Sequence, residues 1–276
     1  MDNTAIEALP PLREVIAEHE LAAKKSLGQN FLLDLNLTRK IARAAMPWSG
    51  GTVIEIGPGP GGLTRALLLE GAPRVTAVER DERCIAALAP LVTASAERLS
   101  VIAGDALEAD LPTLAGSPYQ VAANLPYNIA TALILRWLLG PQPPAKLTLL
   151  VQKEVAERLA APPNSEAYGR LSVIVQWCAE VRMLFDIGPK AFVPPPKVTS
   201  TVVELVPRKA PLAEAETAKL ERVTAAAFGQ RRKMLRASLK SLWPDAEARL
   251  QALGIDATRR AETLSIEEFC QIARTL

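Results

Sequence analysis

Thr52-Val53-Ile54-Glu55-Ile56, followed at once by Gly57-Pro58-Gly59-Pro60-Gly61-Gly62, is the stretch that most narrows the folds open to this chain. Its β-branched, mostly apolar run reads as a buried strand. Glycines and prolines then interrupt any regular structure, and a helical pattern resumes from about 63 to 70, with Gly71 as its C′ glycine. A strand, a bare turn and a helix aim backbone N–H groups at a ligand, which suits an anion or a nucleotide. Gly57, Gly59 and Gly62 meet the dinucleotide spacing Gly-x-Gly-x-x-Gly, but the Lys-Ser/Thr of a phosphate-binding loop is missing. A motif of this kind taken alone is also compatible with a plain tight turn.

The unit opens a rhythm. Strands at 74–78, 99–102, 119–123 and 147–151 alternate with helices at 84–91 and 130–139, which predicts a mostly parallel α/β sheet with right-handed crossovers. After 151 the rhythm breaks. A helix at 171–179 precedes strands at 181–187 and 198–206, which leave no room for a helix between them and read as an antiparallel edge joined through Pro194-Pro195-Pro196. From Pro207 the pattern is helical, at 213–228, 230–242, 245–253 and 265–274, with Gly254 ending one helix and Ser265 and Glu268 capping another. The expected division is an α/β domain over 1–206 and a small all-helical domain over 207–276. Ahead of the first strand lie a loosely specified helical leader to about residue 20 and a helix at 36–45.

Three polar residues end successive strands: Glu79, Asp105 and Asn124. Ligands in open α/β sheets bind at these carboxyl ends, and Glu79 stands 22 residues after Gly57, near the spacing of a ribose-gripping carboxylate. Asp105 can accept from an adenine amine. Asn124-Leu125-Pro126-Tyr127 forms a stiff loop offering an amide, a carbonyl and a flat ring, equipment that matches a planar base with an exocyclic amine. The plainer alternative is an Asn-capped turn with a buried tyrosine.

Composition closes other routes. The sequence has one histidine, His19, and three scattered cysteines, which argues against histidine catalysis, a disulfide framework and a metal site. No run reaches the length of a membrane span, and the acidic leader is unlike a secretory or transit peptide, so a cytoplasmic protein is expected. The net charge of +2 hides +4 over residues 206–276 and −2 over the rest. Arg231, Arg232, Lys233 and Arg236, with Lys197, Lys190, Lys24 and Lys25 elsewhere, point to a polyanion. A solvated cationic face is the alternative for the tail cluster.

The glycine turn and the polar strand ends resemble S-adenosylmethionine-dependent methyltransferases with a Rossmann-like sheet, and Asn-Leu-Pro-Tyr resembles the Asn/Asp-Pro-Pro-Tyr signature of the amino-methylating members, with Leu125 in place of a proline. Further blocks, Gly28-Gln29-Asn30-Phe31-Leu32, Gln152-Lys153-Glu154-Val155-Ala156-Glu157-Arg158, Tyr168-Gly169-Arg170-Leu171-Ser172, Phe192-Val193-Pro194-Pro195-Pro196-Lys197-Val198-Thr199-Ser200 and Phe228-Gly229-Gln230-Arg231-Arg232-Lys233, occur in the order seen in the ribosomal RNA adenine dimethyltransferases. The resemblance implies cofactor contacts at Asn30, Leu32, Gly57, Gly59, Glu79, Asp105 and Asn124. It implies a catalytic set of Asn124, Leu125, Tyr127 and Phe192, with the two rings holding a flipped adenine, and RNA contact at Arg231, Arg232, Lys233, Arg236 and Lys197. The implied activity is dimethylation of two adjacent adenosines near the 3′ end of small-subunit rRNA within the 30S particle, by a monomer without metal. A non-catalytic ribosome-assembly factor, or an adenine methyltransferase acting on another nucleic acid, are the competing expectations.

Overall fold

The computed structural model describes residues 3–21, 29–49, 51–116 and 118–276. Its strands are β1 (Phe31–Leu32), β2 (Thr52–Ile56), β3 (Arg74–Glu79), β4 (Leu99–Ala103), β5 (Tyr119–Asn124), β6 (Lys146–Gln152), β7 (Ala179–Ile187), β8 (Phe192–Val193) and β9 (Ser200–Pro207). The helices are α1 (Thr4–Glu7), α2 (Leu12–Glu18), α3 (Leu35–Ala44), α4 (Gly62–Leu69), α5 (Glu82–Ala94), α6 (Leu111–Ala115), α7 (Ala130–Leu139), α8 (Lys153–Ala160), α9 (Arg170–Cys178), α10 (Thr217–Gly229), α11 (Leu235–Ser238), α12 (Ala246–Ala252) and α13 (Ile266–Arg274).

The main sheet runs β4-β3-β2-β5-β6-β9-β7. β2 sits at its centre, parallel to β3 (Val53↔Val75) and to β5 (Val53↔Gln120). All five of its residues are buried, as a central parallel strand covered on both faces requires. β9 is antiparallel to β6 (Leu149↔Val203), with β7 next to it at the edge. The chain builds outward from β2 through β3 to β4, then starts again on the other side at β5. That reversal opens a crevice beyond the carboxyl ends of β2 and β5, where open α/β sheets take ligands.

Local chemistry fixes the ends of the elements that frame this crevice. Gly71 takes φ +83 after α4, with Gly71 N–H donating to Leu68 and Ala72 N–H to Leu67, a Schellman close. Asp34 caps α3 through Asn36 N–H at 2.8 Å, and Asp81 caps α5. At the far end of the chain Ser265 and Glu268 form the expected capping box on α13. The leader is firmer than its sequence implies. Ile6 is fully buried in the core with Leu67 and Leu68, and Arg65 donates to the carbonyls of Glu7, Leu9 and Pro10 at 2.9–3.1 Å.

Contacts divide the chain into Met1–Lys153 with Arg182–Val206, and Glu154–Val181 with Pro207–Leu276. The second unit thus takes in a stretch that the 206/207 boundary assigns to the α/β part. The cause lies in its packing: α10 lies against α9 and α13, the Tyr168 hydroxyl donates to the Leu264 carbonyl at 3.0 Å, and the Tyr168 ring meets Phe228 edge-on at 5.9 Å. The helix expected over 230–242 is also broken. Met234 is extended and bridges Arg260, and Leu235 N–H donates to Arg259 at 2.8 Å, which leaves a four-residue α11 and a short 3-10 turn. Among the described residues no helix is long and apolar enough to cross a membrane.

Candidate active site

The crevice is an open cleft of about 940 Å³, its mouth included, lined by the turn after β2, the ends of β3, β4 and β5, and Gln29 to Phe31. Gly57 lies on its wall with φ +63, and a β-carbon there would meet no atom within 4 Å. Such a carbon would stand in the open volume, so the bare backbone is what lets a ligand approach. Behind the turn, a β-carbon on Gly62 would come within 2.7 Å of the Leu32 carbonyl.

Glu79 joins the turn to the next strand. Its Oε2 accepts from Gly59 N–H at 3.0 Å and its Oε1 from the N–H groups of Arg80 and Asp81, both at 2.8 Å. A carboxylate has about four lone-pair directions. Three are taken by backbone donors, so Glu79 orders the turn and keeps one acceptor direction for a hydroxyl. Asp105 accepts from Leu107 N–H at 2.9 Å and pairs with Arg80 at 3.2 Å, on a side chain 30 % exposed. Deeper in β2, Glu55 is 1 % exposed with its Oε2 unpartnered among the described residues. Burial, reinforced by the neighbouring Glu79 charge, pushes its carboxyl from an ordinary 4.5 up to about 8. Thr64, the nearby hydroxyl, eases this in part, yet its Oγ1 also lacks a well-formed hydrogen bond.

Asn124 stands opposite the turn. Its Nδ2 donates to the Asn30 carbonyl at 3.1 Å. A carbonyl accepts and never donates, so the amino end of the amide must face Asn30. Oδ1 is thereby left for the cleft, which Asn124 lines. Leu125 N–H donates to Leu150 at 3.2 Å, and nothing among the described residues donates to the Leu125 carbonyl. Tyr127 lines the cleft with its hydroxyl tied to Ser200 Oγ at 2.8 Å, and burial raises the pKa of that hydroxyl.

Asn30, Gly57, Gly59, Glu79, Asp105, Asn124, Leu125 and Tyr127 therefore meet around one space. Leu32 and Phe192 do not. They pair across the small β1·β8 sheet (Leu32↔Phe192), and strand alternation turns both into the core, 6 % and 2 % exposed, while Val193 faces out. The second ring at the cleft is Phe31 rather than Phe192. Lys197 is exposed on the loop after β8 in the first unit. In the second unit, Arg232 and Lys233 are exposed with no ion pair among the described residues. Arg231 donates to the Ser165 carbonyl at 3.3 Å and Arg236 pairs with Glu247 at 3.2 Å, so those two charges are partly engaged. Lys24, Lys25 and Gly28 lie outside the described residues. Ser200, Gln29 and Asp81 were not singled out by sequence. The first two lie inside quoted blocks, whereas Asp81 carries no signal beyond its place after Glu79.

Residues 20–276 match the model of the ribosomal RNA adenine dimethylase family. The chain is 58% identical over 274 residues to the ribosomal RNA small subunit methyltransferase A of Dinoroseobacter shibae, covering 98% of each. Among solved structures it is similar to a dimethyladenosine transferase of Plasmodium falciparum (TM-score 0.75, 26% identity, 87% of this chain and 94% of that one). It is also similar to the 23S rRNA methyltransferase ErmE (TM-score 0.69, 27% identity, 90% and 99%). Sequence likeness on this scale, running through both the cleft and the helical segments, leads to one conclusion: the chain belongs to the ribosomal RNA adenine dimethylases.

Proposed function

We propose that the cleft binds S-adenosylmethionine and that the protein dimethylates the N6 amino groups of two adjacent adenosines near the 3′ end of small-subunit rRNA, working in the cytoplasm as a monomer on the 30S particle. The observation that carries this reading is the pinned amide of Asn124, which leaves an oxygen for the same space that the glycine turn keeps clear. The cleft fits such a cofactor. Gly57 leaves room along the backbone, Glu79 has one acceptor direction for a ribose hydroxyl, and Ile56, Val78, Ala106 and Leu107 supply apolar wall.

When bound, S-adenosylmethionine supplies an electrophilic sulfonium methyl group. The chain's part is to make a poor nucleophile competent. The lone pair of an adenine amine is delocalised into its ring. Asn124 Oδ1 and the Leu125 carbonyl, accepting its two N–H groups, would draw the nitrogen toward tetrahedral geometry and localise that pair. Positioning then does most of the rest, because the proton leaves after the nitrogen has become cationic. A strong base is not required, and the Tyr127 hydroxyl, with its raised pKa and its bond to Ser200, is not one. Stacking on Tyr127 returns roughly 1–3 kcal/mol against the few kcal/mol needed to extrude a base. Phe192 enters indirectly, paired with Leu32 across β1·β8 and buried in the same core cluster, where it backs the strand that borders the cleft. Arg232, Lys233 and Lys197 are the best-placed cations for phosphate contact.

Incubation with methyl-labelled cofactor and, in parallel, unmethylated 30S subunits, naked rRNA, 50S subunits or DNA tests this. Dimethyladenosine in the small-subunit RNA, identified by mass spectrometry, is the expected product. Label in DNA or in the large subunit alone overturns the substrate assignment. Full biological activity of Asn124→Ala without methyl transfer would point to the assembly-factor alternative.

A further inference from the structure

The orientation of the Asn124 amide depends on a carbonyl that belongs to an irregular segment. Asn30 lies in neither a helix nor a strand, just ahead of the two-residue β1. An amide and its flipped form have nearly the same shape, so packing barely distinguishes them and hydrogen-bond partners decide. A flipped Asn124 would present N–H donors to an amine that also donates. Whatever fixes the Asn30 carbonyl therefore fixes the acceptor.

The neighbouring residue carries the anchor. Gln29 Nε2 donates to Asp81 Oδ2 at 3.2 Å. Asp81 is held hard: its side chain is 2 % exposed, it takes Arg83 N–H groups at 2.7 and 3.0 Å, and its own N–H is bound by Glu79. The bond to Arg83, foremost, keeps its carboxyl near pKa 2, so it is an acceptor at any working pH and Gln29 must turn its amino end toward it. We infer that Asp81 and Gln29 form a positioning relay, which fixes the Asn30 carbonyl and through it turns the Asn124 oxygen toward the substrate amine. The inference rests on the reading of Asn124 as the acceptor. It also links the two halves of the cleft. Glu79, which orders the glycine turn, and Asp81, which orders the acceptor, are two residues apart.

The test follows the Asn124 side-chain amide directly, by ¹⁵N–¹H spectra of the full-length protein with that signal assigned by its loss in Asn124→Asp. In Gln29→Ala, and in Gln29→Glu where two carboxylates would face each other, the amide resonances are expected to shift and lose protection from exchange. The kcat on unmethylated 30S subunits should fall roughly 10- to 100-fold, while the Kd of S-adenosylhomocysteine by calorimetry holds within about twofold. Gln29→Lys, which restores a donor to Asp81, should recover most of the loss. Amide signals that stay in place in both variants overturn the relay, and so does an equal loss of kcat and S-adenosylhomocysteine affinity, which would make Gln29 a ligand. If Asn124→Ala, which removes the acceptor, keeps full methyl transfer, the acceptor reading fails instead, and the spectra of Gln29→Ala still judge the relay.

Discussion

Glu55 is a charged residue type kept in the middle of a fully buried strand, and its titration should show in the stability of the whole domain. Its carboxyl gives up a proton near 4.5 when unfolded but near 8 when folded. Between those values the folded state holds a proton that the unfolded state has lost. Stability therefore falls as pH rises through this window, by an amount of the order of a few kcal/mol, and is level above it. Glu55→Gln, a neutral isostere, should flatten that decline, which urea midpoints from pH 5 to 9 would record. Asn124 is legible in sequence because an amide at a strand end followed by Pro and Tyr has few plain uses. Phe192 lies off the cleft lining, a placement that sequence does not reveal, because it shows a ring beside a proline loop and not the β1·β8 register that turns it inward. Nothing in the sequence marks Asp81 as more than a helix cap, since its bond to Gln29 spans 52 positions.

Elements show the same contrast. The five parallel strands were readable because each is an apolar run closed by glycine or a polar residue, and local pattern suffices for a buried strand. The 230–242 helix was not, because the extension at Met234 comes from pairing with Arg260, a tertiary bond that overrides a good helical pattern. The leader belongs here too. Its helices are short, so its order rests on tertiary contacts: Ile6 in the core, Leu21, Val15 and Ile16 with Cys84 and Ala87, and the bonds from Arg65 of α4. Arg65→Ala removes the donor to three carbonyls, one of them part-buried and two open to water, and should cost about 1 kcal/mol. Faster cleavage within residues 8–21 under limited proteolysis, with α/β far-ultraviolet signal retained, is the expected readout.

At the scale of the molecule, charge and chain path matter more than any one contact. Reversing Arg232 and Lys233 to Glu should weaken binding to 30S subunits and lower its salt slope by about two, leaving S-adenosylhomocysteine affinity intact. Equal loss of both affinities would give these side chains a role in folding. The helical unit is assembled from two separate stretches, Glu154–Val181 and Pro207–Leu276, with most of β7, β8 and most of β9 threaded between them. A fragment starting at 207 lacks α9, the partner of α10 and α13, and should show no cooperative thermal transition. Anyone building hybrids between relatives of different substrate preference thus faces three junctions instead of one cut. A tail transplanted by itself would arrive with its apolar seam bare, and its failure to work would say nothing about what it recognises.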